Sequence, residues 1–216
     1  IIDFNGSIVE NSLIQNTCNE FKPDIIINLA AYPRVSLVEQ YPVLATEGMI
    51  QGLINTLNYS VKKYIHVSSS NVYGSYQDDA TEESRLSPIN LYGSLKVAQE
   101  RLIKANCRNV GSNYIILRPM CVFGNYDLGD RLVPKFITQA IKNEEIFYAT
   151  DTVTNITYID DMVQAMKLAI ESDVVDETFN VSSGVMTDVK SLATDIKKYY
   201  DSVSSLVPVS REKYFP

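Results

Sequence analysis

Three short apolar runs, separated by stretches of helical periodicity, constrain this chain more than any other feature. Pro23-Asp24 leads into Ile25-Ile26-Ile27-Asn28-Leu29-Ala30-Ala31, apolar at consecutive positions and too short for a helix, the pattern of a strand buried on both faces. Residues 43–60 then set Leu44, Met49, Ile50, Leu53, Ile54 and Leu57 at helical spacing. A second strand over 64–68 runs into Ser68-Ser69-Ser70, and a helix over 91–106 follows, opened by Asn90 as its N-cap. A third strand, Asn113-Tyr114-Ile115-Ile116-Leu117, ends in Arg118-Pro119. Strand, helix, strand, helix, strand at this spacing means βαβ units, hence an α/β fold with a doubly wound parallel sheet. Beyond it the pattern predicts helices near 131–143, 160–172 and 187–201 and strands near 145–148, 155–158 and 178–182. These read as a smaller lobe: 1–125 forms the first domain, and 126–216 is mainly the second, with some segments returning to the first.

Composition narrows the class of function. The 216 residues carry 19 basic and 26 acidic side chains, a net charge of −7. With no basic run, neither nucleic acid nor an anionic membrane surface is expected as the partner. No eighteen apolar residues run together, so no membrane-spanning helix is expected. The opening Ile1-Ile2-Asp3-Phe4-Asn5-Gly6 has neither the basic nor the apolar region of a secretory signal. Three scattered cysteines, Cys18, Cys107 and Cys121, suit a reducing compartment, and a cytoplasmic protein is expected. With a single histidine and no Cys-x-x-Cys or His-Glu-x-x-His spacing, no metal site is expected. His66, inside Tyr64-Ile65-His66-Val67, reads as a packed strand residue.

In open α/β sheets ligands bind beyond the carboxyl ends of the strands, which directs attention to Ala30 to Tyr32, Ser68 to Gly74 and Arg118 to Gly124. The most specific pattern is Tyr92-Gly93-Ser94-Leu95-Lys96, whose four-residue spacing puts tyrosine and lysine on one helical face. An ammonium beside a phenol stabilises the phenolate, making Tyr92 a usable acid or base near neutrality. Taken alone, the same spacing describes a solvated helix pair. Ser69, just upstream at a strand exit, adds a hydroxyl able to hydrogen-bond a substrate oxygen, whereas Ser68 reads as satisfying local structure.

In order along the chain stand Asn28-Leu29-Ala30-Ala31, Ser69-Ser70-Asn71-Val72-Tyr73-Gly74, Tyr92-x-x-x-Lys96, Leu117-Arg118-Pro119-x-x-Val122-Phe123-Gly124, Tyr158-Ile159-Asp160-Asp161 and Phe179-Asn180-Val181. This series resembles the extended short-chain dehydrogenases, the NAD-dependent epimerase/dehydratase family acting on nucleotide sugars, from about residue 3 to residue 210. The resemblance implies a Rossmann-like sheet with an interleaved substrate-binding lobe. It implies Ser69, Tyr92 and Lys96 as catalytic residues, with Leu29, Ala30, Ala31, Tyr92, Lys96 and Pro119 against NAD. Ser70, Asn71, Cys121, Arg131 and Leu132 fall toward the nucleotide sugar. The implied reaction is epimerisation through a transient keto sugar by hydride transfer. An NAD(P)H-dependent keto-sugar reductase and a non-catalytic relative that binds a nucleotide sugar or a partner are the alternatives. NADP stays open as the cofactor. Helices 43–60 and 91–106 correspond to those that pair in family homodimers, and Leu95, Ala98, Leu102 and Ile103 offer an apolar stripe for such pairing or for the core.

Departures from the family pattern bear on the reaction. No Gly-x-x-Gly-x-x-Gly occurs, so the sequence enters the pattern after its second strand, and an incomplete sequence is the expectation. Ser70 and Asn71 replace the acidic pair of the 4,6-dehydratases, which argues against dehydration. Met49 stands for an asparagine and Cys121 for another. Thr154 falls where many members carry a diphosphate-gripping arginine, a role for which Arg131, Lys135 and Arg211 are the substitutes. Asp160-Asp161 are expected to cap a helix.

Overall fold

The computed structural model describes residues 3–75, 80–127 and 129–210. In chain order the first elements are α1 (Asn11–Phe21), β1 (Ile25–Asn28), α2 (Val35–Gln40), α3 (Pro42–Thr46), α4 (Gly52–Leu57) and β2 (Lys63–Val67). Next come α5 (Leu91–Val110), β3 (Asn113–Pro119), β4 (Val122–Phe123), α6 (Leu132–Lys142) and β5 (Ile146–Ala149). The chain continues through β6 (Val153–Asn155), β7 (Thr157–Tyr158), α7 (Ile159–Glu171), β8 (Glu177–Val181), β9 (Met186–Asp188), α8 (Val189–Tyr199) and β10 (Leu206–Val209). The chain forms two compact units, Ile1–Pro119 with Ala165–Val181, and Met120–Gln164 with Ser182–Pro216.

The first unit holds a four-stranded sheet of order β1-β2-β3-β8, parallel at every pairing. Successive side chains on a strand alternate faces. Tyr64 and His66 of β2 therefore share one face, and Lys63 and Ile65 share the other. On the first face Leu53, Leu57, Val61, Tyr64, Ile103 and Cys107 pack into one cluster that joins α4 and α5 to the sheet. Full burial of each large apolar side chain there stabilises the fold by roughly 1.5–3 kcal/mol. On the other face the Lys63 ammonium donates to the carbonyls of Ala169 (2.9 Å) and Ser172 (2.6 Å), a cation at the C-terminal end of α7.

The structure refines several sequence boundaries. β1 stops at Asn28 because the Asn28 side chain accepts from Ala30 N–H and turns the chain out of the ladder. The helix expected over 43–60 is interrupted by a π turn, Glu47–Gln51. Gln99 explains it: its Nε2 donates to the Met49 carbonyl at 2.7 Å, drawing that carbonyl away from the regular helical ladder. The helix expected over 91–106 runs on to Val110, where Gly111 at φ 69° closes it. Asn90 caps its start, with Oδ1 accepting from Gly93 N–H at 2.8 Å. α1 and α2, which the sequence pattern does not predict, are short helices that each bury one residue, Ile14 and Val38.

In the second unit β5 and β10 form a parallel pair under α6 and α8, with Phe136, Ala140, Ile146, Tyr148, Val189 and Ala193 as its core. β4 pairs with β7 in parallel and β6 with β9 antiparallel. Asp160 and Asp161 occupy the first turn of α7, the end that favours negative charge.

The candidate active site

Tyr92 and Lys96 lie in the first turns of α5, and Ser69 lies just past the carboxyl end of β2, all within the first unit. Asn90 fixes where α5 begins, and so where Tyr92 and Lys96 emerge. Gly93 is required between them: a Cβ there would sit 2.6 Å from the Asn71 carbonyl oxygen. α5 thereby closes directly onto the turn that follows Ser69. Tyr92 packs against the cluster of Val38, Ala45, Met49 and Leu95, which Ala31 and Tyr32 also join. The first strand's exit and the candidate tyrosine therefore share one apolar base.

Lys96 is almost fully buried, and its Nζ donates to the Val67 carbonyl at 2.8 Å. The ammonium stands 5.9 Å from the centre of the Tyr92 ring. Burial pushes its pKa down from 10.5 to about 8, with the Glu100 carboxylate opposing the fall. Ser69 is buried at the N-cap of the 3-10 turn Ser70–Tyr73, and its Oγ accepts from Asn71 N (3.2 Å) and Asn71 Nδ2 (3.1 Å). Accepting two bonds leaves the hydroxyl proton of Ser69 to be donated elsewhere. Ser70 is buried and Asn71 half-buried, and neither carries a carboxylate.

His66 is the packed strand residue expected from its surroundings. It is fully buried, neither ring nitrogen has a hydrogen-bond partner among the described residues, and burial with the nearby Lys96 charge holds it neutral, well below its ordinary pKa.

Sequence reasoning missed the charges beneath these residues. Arg118 of β3 grips Glu100 of α5 in two-pronged fashion, Nε to Oε1 at 2.9 Å and Nη2 to Oε2 at 2.7 Å, with both residues buried. Ser68 Oγ donates to Glu100 Oε1 at 2.6 Å, and Arg118 Nη1 donates to the Tyr73 hydroxyl at 2.7 Å. Tyr73 in turn donates to Asn180 of β8. The available signal was Glu100 standing one turn after Lys96 on the buried face of its helix.

On the cofactor side, Leu29 is exposed, Ala30 and Ala31 are half-buried, and Pro119 is the last residue of β3. Ala30, Ala31 and Tyr32 line a cavity of about 540 Å³ together with residues 6–10, Leu44, Glu47 and Gly48. Asn55 holds that segment by donating to the carbonyls of Ile8 (2.9 Å) and Val9 (3.0 Å). Met49, which stands for an asparagine of the family pattern, is a fully buried core residue whose carbonyl receives Gln99.

The remaining expected positions lie in the second unit. Cys121 is hydrogen-bonded by Arg131, burial raises its thiol pKa, and Arg131 also faces Asp127 at 3.6 Å. Leu132 packs on the Phe136 cluster, and Thr154 pairs with Thr187 between β6 and β9. Arg211 lies outside the described residues. Of the apolar stripe on α5, Leu95 and Ile103 are core residues, Leu102 packs against the core and Ala98 is half-buried. Among the described residues no cluster of histidine, cysteine or carboxylate could hold a metal ion, and no helix is long and apolar enough to cross a membrane.

Comparison with known proteins identifies the family. Residues 4–182 match the model of the NAD dependent epimerase/dehydratase family, and the chain belongs to that family. A dTDP-D-glucose 4,6-dehydratase of Dictyostelium discoideum is 28% identical over 93% of this chain and 50% of its own length. The chain thus spans about half of that relative. The crystal structure of UDP-glucose 4-epimerase from Thermotoga maritima with UDP-glucose superposes with a TM-score of 0.89 at 27% identity, over 95% of this chain and 70% of that one. The Thermus thermophilus UDP-glucose 4-epimerase complex with NAD shares the fold, with a TM-score of 0.86 at 21% identity over 96% of this chain and 72% of that one.

Proposed function

We propose that this protein is an NAD-dependent epimerase of nucleotide sugars, with Tyr92, Lys96 and Ser69 as its catalytic residues. The observation that carries the reading is the buried Lys96 ammonium, anchored on the carbonyl that precedes the Ser68-Ser69 exit and facing the Tyr92 ring.

The residues present would fit the adenosine end of the cofactor. Apolar walls from Ile8, Val9, Ala30 and Ala31 suit the flat adenine, and Ser7 offers a polar contact. Bound NAD supplies the acceptor, and on return the donor, of the hydride. Tyr92, as the phenolate that the Lys96 ammonium stabilises, takes the proton of the sugar hydroxyl and becomes the neutral phenol. Ser69 donates its free proton to the same sugar oxygen. The keto sugar would then present its other face, and Tyr92 would return the proton to its oxygen. Leu29, Ala30, Ala31 and Pro119 would lie against the cofactor, and Ser70, Asn71, Cys121, Arg131 and Leu132 are assigned to the nucleotide sugar.

A 4,6-dehydratase is the second reading, favoured by the Dictyostelium relative. Against it stand Ser70 and Asn71, which offer no carboxyl for water elimination. Incubating the full-length protein with NAD and UDP- or dTDP-hexoses in deuterated water separates the two. An epimer without solvent deuterium on its carbon skeleton is expected. A 4-keto-6-deoxy sugar carrying deuterium would overturn the epimerase reading, and full turnover by Tyr92→Phe would overturn the catalytic assignment.

A further inference from the structure

We propose that the buried Glu100–Arg118 ion pair is a positioning device for Ser69, bracketing that residue from both sides so that its hydroxyl meets the substrate oxygen shared with Tyr92. This inference rests on the functional reading above.

The bracketing is geometric. Immediately upstream of Ser69, two consecutive residues of the β2 exit are tied to two consecutive turns of α5. The Val67 carbonyl accepts from Lys96 Nζ, and Ser68 Oγ donates to Glu100 Oε1. Ser68 is also fixed to β3, its N–H donating to the Leu117 carbonyl at 2.7 Å. Downstream, the 3-10 turn that Ser69 caps ends in Tyr73. The hydroxyl of Tyr73 accepts from Arg118 Nη1 at 2.7 Å, and the guanidinium lies 5.1 Å from the centre of its ring. One ion pair therefore holds the residue before Ser69 through its anion and the end of the following turn through its cation. Both charges are satisfied on every side the network offers, since Arg118 also donates to the Glu82 carbonyl at 3.1 Å.

A buried ion pair is a weak stabiliser, because desolvation offsets most of the attraction. It is well suited to fixing geometry, because charged hydrogen bonds are directional and the low dielectric resists their rearrangement. The charged and titratable groups grouped around Lys96 are His66 from β2, Tyr92 and Glu100 from α5, and Arg118 from β3 behind Glu100. Glu100 thus serves both the serine and the lysine, on the same helix that presents the tyrosine.

Two variants leave the ion pair in place: Ser68→Ala cuts the tether to its anion, and Tyr73→Phe cuts the tether to its cation together with the bond from Tyr73 to Asn180. Each is expected to lower kcat about tenfold while KM for the nucleotide sugar stays within twofold, the pattern of a misplaced reacting group with intact substrate binding. In parallel, hydrogen exchange reads the Asn71 amide, which donates to Ser69 Oγ. It is expected to exchange at least tenfold faster in both variants. A purely structural pair would lower the unfolding temperature and leave kcat per folded molecule unchanged, and that result overturns the proposal, as does an Asn71 amide that exchanges as in the wild type. Wild-type protein that turns over no nucleotide sugar would overturn the functional reading instead, and the exchange measurement then decides whether the pair positions Ser69.

Discussion

Replacing Lys96 by methionine should make this protein more stable at neutral pH and less stable at high pH, a reversal that follows from burying an ammonium group. The side chain is almost fully buried, and burial lowers its pKa from 10.5 to about 8. The unfolded chain keeps the ordinary value, so at pH 7 folding works against the protonated lysine by about 3 kcal/mol. Methionine fills nearly the same volume without charge. It forfeits the bond from Nζ to the Val67 carbonyl, worth about 1–2 kcal/mol. The balance is a variant more stable by about 1–2 kcal/mol at pH 7, with a Tm higher by about 2–8 °C. The sign follows from linkage: a lysine with a depressed folded pKa costs stability below that pKa, and the cost is released as pH rises from about 8 to 10.5. By pH 10 most of it is gone, the lost hydrogen bond dominates, and the wild type should lead by about 0.5–1 kcal/mol. Urea unfolding of both proteins at pH 7, 8, 9 and 10 measures the difference directly, and titrations common to both cancel. A difference that stays flat across this range would refute the reasoning.

Two further substitutions probe the same core. His66→Leu should lessen acid sensitivity: a histidine held neutral by burial costs stability as pH falls below its ordinary value of about 6.5. The wild type should therefore lose more stability than the variant between pH 7 and pH 5 in urea melts, and equal losses would contradict a neutral His66. Gly93→Ala drives a methyl to 2.6 Å from the Asn71 carbonyl, so α5 or the Ser69 turn must yield, at a cost of about 1–3 kcal/mol measured by thermal unfolding. A neutral outcome would mean the two segments are not in contact.

Much of the first unit was legible in the sequence because β2 and β3 are buried on both faces and carry consecutive apolar residues, and because its helices bear apolar stripes; β1, expected to be buried on both faces, instead leaves Ile27 exposed. Asn90 announced the start of α5 through cap chemistry alone, and with it the placement of Tyr92 and Lys96. What escaped were features made by contacts distant in sequence. The π turn at 47–51 exists because Gln99, some fifty residues away, reaches the Met49 carbonyl. No local pattern encodes that. The apolar stripe of α5 had two readings, as core or as surface for a second copy, and only packing separates them: Leu95 lies on Met49 and Ile103 on the Tyr64 cluster.

The Glu100–Arg118 pair escaped for a different reason, which bears on how such sites are built. Charged residues inside an apolar helix face or strand read as exceptions to the hydrophobic pattern, and an isolated buried charge would be severely unfavourable. Three such exceptions, Lys96, Glu100 and Arg118, face one another across α5 and β3, and each makes the others tolerable. Lys96 must be buried to hold its charge close to Tyr92, and Glu100 limits the fall of its pKa. Glu100 in turn would leave the cluster unbalanced without Arg118, whose remaining donor reaches Tyr73. The requirement for one cation beside the tyrosine thus propagates outward into a network, and the segment carrying Ser69 is held between its two ends.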